Sequence, residues 1–330
     1  MSPRIPPNPP RRVEIVAFPD FQLLDVAGPL QALASANQFA AESGLPGQYE
    51  VRVVSPAAGV LASSAALSIV ADPLPASDRP LDTLIIGGGP GVYPAAEDAG
   101  FVDWVRRRAG VARRTASVCT GAFLLAATGL LDGRRVTTHW RACARLAESF
   151  PALTVESDPI YINDGPFWTS AGVTAGIDLT LALIEADLGR SVSLAVARHL
   201  VVFAKRPGGQ AQFSASLALT GGDASFDALH GWLAGNLRRN LTIPRLADRA
   251  GMSERSFARR YHAATGTTPA RAVERLRVEA ARQALAATSQ PIKLIAQSCG
   301  FGSEETMRRS FLRLMTVSPQ AYRERFQESA

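Results

Sequence analysis

Cys119 stands where an apolar, strand-forming run gives way to an apolar, helix-forming one, in the stretch TASVCTGAFLLAATGLL. A cysteine at such an elbow is exposed at the top of a sheet, with its sulfur against a helix N-terminus. Backbone N–H groups and the helix dipole there favour the thiolate, which is the nucleophilic form. The glycines of GGGPG, Gly88 and Gly89 among them, follow another strand, LDTLII, and could offer N–H groups as an oxyanion hole. Asp25 follows a first strand, VEIVAF, and can enter the same crevice as an acid/base partner; His139 closes RRVTTHW. Each residue also has a plainer reading. A free cysteine is often a small buried hydrophobe, Asp25 can cap the helix behind it, and His139, before Trp140, can be a packed imidazole.

A second set of chemistry-bearing residues lies near the other end. LADRAGMSERSFARRYHAATGTTP can be laid over IAQSCGFGSEETMRRSFLRLMTVSP, so that Gly251 matches Gly300, Phe257 matches Met307, Tyr261 matches Phe311 and Pro269 matches Pro319. In each copy a short helix ends at a glycine suited to a left-handed turn, and a second helix starts near a serine N-cap, Ser253 or Ser303. Phe257 and Tyr261 then face a core, while Arg255, Ser256, Arg259 and Arg260 lie off that face. In the second copy Met307 and Phe311 face inward, and Glu304, Glu305, Thr306, Arg308 and Arg309 do not. Arginine forks match a guanine edge and a carboxylate accepts from cytosine, so these are candidate DNA contacts. An ordinary helical bundle with exposed arginines is the bland alternative.

The elements that must carry these residues differ between the two ends. From Val13 to about Ala204, strands alternate with helices: VEIVAF, LDVAGPLQALASAN, YEVRVVSP, LDTLIIGGGPG, TASVCTGAFLLAATGLL, RRVTTHW, ACARLAESFP and FWTSAGVTAGIDLTLALIEADLG. This order predicts an α/β domain with a mainly parallel sheet covered on both faces, binding ligands beyond the C-terminal strand ends. From Phe226 the strand signals stop and everything is helical. Between the two repeats, PARAVERLRVEAARQALAA starts at Pro269, a proline suited to the N1 position of a helix, and carries Val273, Leu276, Ala280 and Ala284 as an apolar stripe. At ~1.5 Å per residue it is a rod of about 27 Å, near the spacing of successive major grooves. The expected organisation is a disordered tail at 1–12, an α/β domain at 13–204, a Gly/Ser/Ala-rich linker at 205–224 and an all-α domain at 225–330.

Composition agrees with two folded parts. The chain has 330 residues, 47% hydrophobic and 19% charged, with net charge +6. Residues 225–330 carry 17 Lys+Arg against 9 Asp+Glu, a net +8, which leaves the remainder at −2. A basic module on a near-neutral one points to nucleic acid. No apolar run reaches the ~20 residues that span a membrane. Three widely spaced cysteines, Cys119, Cys143 and Cys299, form neither a metal-ligand pattern nor a disulfide framework, which fits a reducing, cytoplasmic setting.

The motifs LDVAGP, IIGGGPG, SVCTGAFLLAATGLLDGRRVTTHW and TSAGVTAGIDLTLALIE together resemble the ThiJ/PfpI branch of the class I glutamine amidotransferase-like superfamily, over most of Val13 to Ala204. The resemblance implies a flavodoxin-like, amidotransferase-like sandwich. Among its enzymes, isonitrile hydratases pair an elbow cysteine followed by threonine with an aspartate after the first strand, which here are Cys119, Thr120 and Asp25. Protease-like members have histidine where this chain has Thr120, so their Cys-His mechanism is not implied.

Residues 225 to 326, with CGFGSEETMRRSF in the second repeat, resemble the AraC/XylS DNA-binding domain. The order of the two domains is that of the GlxA-type transcriptional regulators. That resemblance implies promoter DNA, RNA polymerase and a second copy of the chain as partners. It further implies a small nitrogenous metabolite, such as arginine, carnitine or glycine betaine, as effector, with no cofactor, no metal and no turnover. The expected effector pocket is Asp25, Gly88, Gly89, Cys119, Thr120 and His139. Two alternatives stand beside this reading: an isonitrile-hydratase-like enzyme acting through Cys119 that also binds DNA, and a redox sensor acting through oxidation of Cys119.

Overall fold

The computed structural model describes residues 10–42, 48–203, 210, 226–315 and 317–327. The expected tail, as far as position 9, and the expected linker, apart from Gln210, lie outside the described residues. The chain divides into two units, Met1–Arg206 and Pro207–Ala330.

The first unit is built on an eight-stranded sheet in the order β3-β4-β2-β1-β5-β6-β10-β9. Its strands are β1 (Arg11–Val16), β2 (Tyr49–Ser55), β3 (Gly59–Ala62), β4 (Ser68–Pro73), β5 (Leu81–Ile86), β6 (Ala112–Val118), β9 (Tyr161–Asp164) and β10 (Phe167–Ser170). The six central strands pair in parallel; β3 and β9 close the two edges antiparallel. Val13, Ile15, Leu84, Ile85, Ile86, Ala116 and Val118 are all buried. Such near-continuous apolar runs are what a sheet covered on both faces requires. The helices are α1 (Leu23–Glu42), α2 (Val92–Glu97), α3 (Ala99–Val111), α4 (Gly121–Ala127), α5 (Cys143–Ser149), α6 (Ala175–Leu188) and α7 (Arg190–His199). Helices α1, α6 and α7 pack together, and so do α2, α3 and α4.

The strand starts are held by charge. Asp187, near the end of α6, accepts from Arg114 at 2.5 Å, Arg113 at 2.8 Å and the Tyr49 hydroxyl at 2.9 Å, and lies 3.8 Å from Arg11. Arg11 and Arg12 are therefore the first residues of β1 and not part of a tail: Arg11 pairs with Tyr49 and Arg12 with Glu50 in the ladder. RRVTTHW also departs from expectation. Only Arg135–Val136 (β7) is strand, and it pairs with Thr154–Val155 (β8) in a separate two-stranded sheet. The next residue, Thr137, instead gives its N–H to the Thr169 hydroxyl on β10 at 2.8 Å. His139 consequently lies in a loop, not at a strand end of the main sheet.

The second unit is helical throughout its described residues: α8 (Asp227–Ala234), α9 (Ile243–Arg249), α10 (Glu254–Thr265), α11 (Pro269–Ala287), α12 (Ile292–Ser298), α13 (Glu304–Met315) and α14 (Pro319–Gln327). It has two separate apolar cores. One gathers Phe226, Leu229, Leu233, Leu246, Phe257, Tyr261 and Val273; the other gathers Val278, Leu285, Ile295, Phe301, Met307, Phe311 and Tyr322. Helix α11 serves both: of the expected stripe, Val273 and Leu276 pack against the first core and Ala280 and Ala284 against the second, and further residues join them. Ala272 and Val273 enter the first core, and Val278, Ala281 and Leu285 the second, because the helix turns a different face to each unit as it runs between them.

Candidate functional site

The sheet order changes direction between β1 and β5: from β1 the chain moves outward one way to β2 and the other way to β5, β6 and β10. Crevices form at such switch points, beyond the C-terminal strand ends. Four neighbouring strands deliver the site there. Asp25 comes from the first turn of α1 behind β1, Gly88 and Gly89 follow β5, Cys119 and Thr120 follow β6, and Gly172 and Val173 follow β10.

Cys119 has φ +57 and Val173 φ +53. The left-handed region costs a non-glycine residue about 1–3 kcal/mol and is kept where surroundings over-determine it. They do so here. The Cys119 N–H donates to the Ser170 carbonyl at 3.1 Å, and the Thr138 hydroxyl donates to the Cys119 carbonyl at 2.7 Å. Gly172 lies so near that a Cβ there would overlap the Cys119 Cβ.

Asp25 is fully buried. Its Oδ1 accepts the Val173 N–H at 2.7 Å and its Oδ2 the Gly88 N–H at 3.1 Å, so one carboxyl ties the β5 loop to the β10 loop. Burial raises it to about 6, against the pull of those two N–H groups and a hydrogen bond from Cys119. The Thr120 hydroxyl makes the parallel tie, accepting the Gly89 N–H at 2.9 Å and facing the Gly89 carbonyl at 3.2 Å.

This geometry reverses two expectations. The Cys119 thiol is pushed well above the ordinary thiol value, first by burial and then by the Asp25 charge; the Thr120 backbone N–H pulls the other way and loses. A sulfur sealed in the interior against a carboxylate keeps its proton, whatever the short α4 contributes. The glycine amides are also not free for an oxyanion, because Asp25 holds Gly88 and Thr120 holds Gly89.

His139 is half-buried. Its ring lies 5.6 Å from Trp140, its Nδ1 accepts the Arg141 N–H at 3.4 Å, and burial and Arg141 lower its pKa. The loop reaches the elbow through Thr138, which sequence reasoning had placed in a strand. Val173 was missed as well; the only hint was its position after Gly172 in TSAGVT.

In the second unit both turns match their glycines: Gly251 has φ +65 and Gly300 φ +84. The Ser253 hydroxyl accepts the Ser256 N–H at 3.4 Å, and the Ser303 hydroxyl accepts that of Thr306 at 3.1 Å. Phe257, Tyr261, Met307 and Phe311 are buried, which turns the other face of each helix outward. Arg255, Arg259 and Arg260 are exposed on α10, with Ser256 partly covered; Glu304, Glu305, Thr306, Arg308 and Arg309 are exposed on α13. Glu305 binds Arg308 through two contacts, 2.7 and 2.8 Å, and lies 3.9 Å from Arg309. These arginines hold the Glu305 carboxyl below the usual range. Among the described residues no helix is long and apolar enough to cross a membrane, and no cluster of His, Cys, Asp and Glu could hold a metal ion.

Comparison with known proteins matches both units. Residues 11–186 match the DJ-1/PfpI family and residues 246–325 a helix-turn-helix domain. An HTH-type transcriptional regulator of Mycobacterium tuberculosis is 34% identical over 260 residues, covering 75% of this chain and 96% of that protein. The isonitrile hydratase of Pseudomonas putida is 35% identical over 178 residues, 54% of this chain and 72% of the enzyme. A ThiJ/PfpI family protein from Pseudomonas syringae of known structure is 26% identical, with a TM-score of 0.53 over 62% of this chain and 80% of that one. The chain belongs to the DJ-1/PfpI family, in the group that joins this domain to an AraC-type helix-turn-helix domain and includes the HTH-type transcriptional regulator GlxA of Rhizobium meliloti.

Proposed function

We propose that this chain is a DNA-binding transcriptional regulator of the cytoplasm. In this reading α10 and α13 read promoter DNA, and the first unit senses a small nitrogenous metabolite at the crevice of Asp25, Gly88, Gly89, Cys119, Thr120 and His139. One observation carries it: two capped turn-helix units, each with its own core, present exposed arginines on the faces opposite those cores. The sensing role is supported by the closed state of the elbow. A protonated thiol and amides already bonded to side chains argue against nucleophilic attack, which leaves the crevice a binding role. Homodimerisation through the first unit would place two readers on one site, and RNA polymerase is the natural partner of a promoter-bound protein.

The test is twofold. Gel shifts against a pool of random duplexes should show enrichment of particular sequences; the absence of any preference would sink the regulator reading. Thermal shifts of the full chain with arginine, carnitine and glycine betaine should raise the midpoint for the true effector class, since a ligand at ~100 times its Kd adds about 2.7 kcal/mol.

A second reading is kept by Cys119 and Asp25, which stand in contact as an enzyme acting on isonitriles would need, and by the 35% identity to such an enzyme. Formamide production from an isonitrile by the wild-type chain, abolished in Cys119→Ala, would establish it.

A further inference from the structure

We propose that Arg277, Gly300 and the Leu237 carbonyl form a brace that fixes the distance and rotational phase between recognition helices α10 and α13, making Arg277 and Gly300 positioning residues for a two-part DNA site. This rests on the DNA-reading role proposed above and adds the means by which one spacing is chosen.

Within the all-α part of the chain the two helix-turn-helix units, the first built of α8 to α10 and the second of α12 to α14, need such a part. Their apolar cores are separate, and they divide along α11 between Leu276 and Val278. A single helix between two cores leaves the units free to bend and twist about it. The loop between α8 and α9 belongs to the first unit, where Asn236 caps it by donating from its side-chain amide to the Trp232 carbonyl at 2.8 Å. Arg277, in the middle of α11, donates from Nε to the Leu237 carbonyl at 3.1 Å and from Nη2 to the Arg239 carbonyl at 3.0 Å. Its guanidinium is therefore spent on two backbone oxygens of the first unit.

The turn of the second unit is seated on the same carbonyl. A Cβ on Gly300 would overlap the Leu237 oxygen and come within 2.9 Å of Arg277 Nε. The internal repeat supplies the comparison. Gly251 holds the same place in the first unit with a similar φ, yet a Cβ there would meet nothing within 4 Å. The left-handed turn thus explains a glycine at both positions, but the close approach is particular to Gly300. Further along, Arg313 of α13 forms an ion pair with Glu274 of α11, which ties the far end of the second recognition helix to the first unit's side of the rod. A flexible join would spread the second binding event over many geometries and lower its effective concentration at any one of them.

The experiment is selection of binding sites from a random duplex library by the full chain, as wild type, Arg277→Gln, Gly300→Ala and the control Arg275→Gln, an exposed α11 residue that loses the same charge. Wild type and control should enrich two sequence elements at one separation. Arg277→Gln and Gly300→Ala should enrich the same elements over several separations. Their affinity for the wild-type site should fall about tenfold or more, with less than about twofold loss on a single element. A single unchanged separation in Arg277→Gln would overturn the brace, as would equal losses on the whole site and the single element. No enrichment by the wild type would remove the DNA-reading role itself, and the brace with it.

Discussion

The Cys119 thiol and the Asp25 carboxyl share a hydrogen bond inside the first unit; the carboxylate makes the thiol harder to ionise, while the thiol's hydrogen bond makes the carboxyl easier to ionise. Burial alone would hold the sulfur protonated; the facing carboxylate adds to it. A nucleophile poised for attack has the opposite arrangement, with a cation or an open helix end beside it. Slow reaction with iodoacetamide at neutral pH is therefore expected at Cys119, followed by peptide mapping to separate it from the buried Cys143 and Cys299. Asp25→Asn should speed the reaction, because the charge opposing the thiolate is gone while the burial remains. Modification of wild-type Cys119 at pH 6 as fast as an unhindered low-pKa thiol would contradict this account.

Asp25 also sets a pH dependence. Its folded value of about 6 stands above the 3.8 of an unhindered aspartate, so the folded state binds the proton more tightly. The stability linked to this group is present in full below about pH 3.8 and is lost as pH rises through about 6. At 1.36 kcal/mol per unit the loss is about 3 kcal/mol. Other groups titrate over the same range, so the informative quantity is the difference between wild type and Asp25→Asn. Denaturant unfolding at pH 4.5 and 7.5 should show wild type losing more stability than the variant across that interval. Parallel curves would show that Asp25 is not buried as a charge.

The parts of the fold legible in the sequence were those written in period and punctuation. VEIVAF, LDTLII and the elbow at Cys119 are apolar runs bounded by glycine or a turn, and they became β1, β5 and β6. The repeat placed both serine caps and both turn glycines. RRVTTHW misled because strand propensity in Thr137 and Thr138 was overridden by tertiary contacts, Thr137 to Thr169 and Thr138 to Cys119. The thiol's state was not legible, since it depends on how deeply the elbow is buried and on Asp25, more than ninety residues away in sequence, turning inward to meet it. The Leu237–Gly300 contact was equally hidden: both glycines of the repeat look alike until the neighbours of each are known.

Asp187 is the keystone of the strand starts, and its loss should be severe. It is 3% exposed and pairs with Arg114, itself 5% exposed. Asp187→Ala would leave that guanidinium buried with only the Thr83 hydroxyl at 2.8 Å and the more distant Asp82 at 3.9 Å. Breaking one side of a buried pair costs about 3–5 kcal/mol. Urea unfolding of the full chain should show a loss of unfolding free energy of that size in the first unit's transition. Arg113→Ala is the contrast: that side chain is half exposed, and its removal should cost less than about 1 kcal/mol. Equal effects of the two substitutions would mean that the cluster acts as a whole and not through the buried pair.

The two recognition helices should also differ in how they meet DNA. On α10, Arg255, Arg259 and Arg260 are exposed cations, whereas on α13 Glu305 engages Arg308 and lies against Arg309 before any DNA is present. Phosphate attracts a free guanidinium without regard to sequence, and a carboxylate held beside it opposes that attraction. Glu305 is then a filter: it weakens general attraction to the backbone and releases its arginines only where a base edge offers a better partner. Glu305→Gln should tighten binding to arbitrary duplex and steepen its salt dependence by about one phosphate contact. Arg259→Ala and Arg309→Ala should each cost about 1–3 kcal/mol on a selected site and relax preference at one base position. Salt titrations of all three variants on a selected and an arbitrary duplex separate these effects. A uniform loss on both duplexes would assign Arg259 or Arg309 to phosphate, and an unchanged slope in Glu305→Gln would show that the ion pair in the free protein has no part in discrimination.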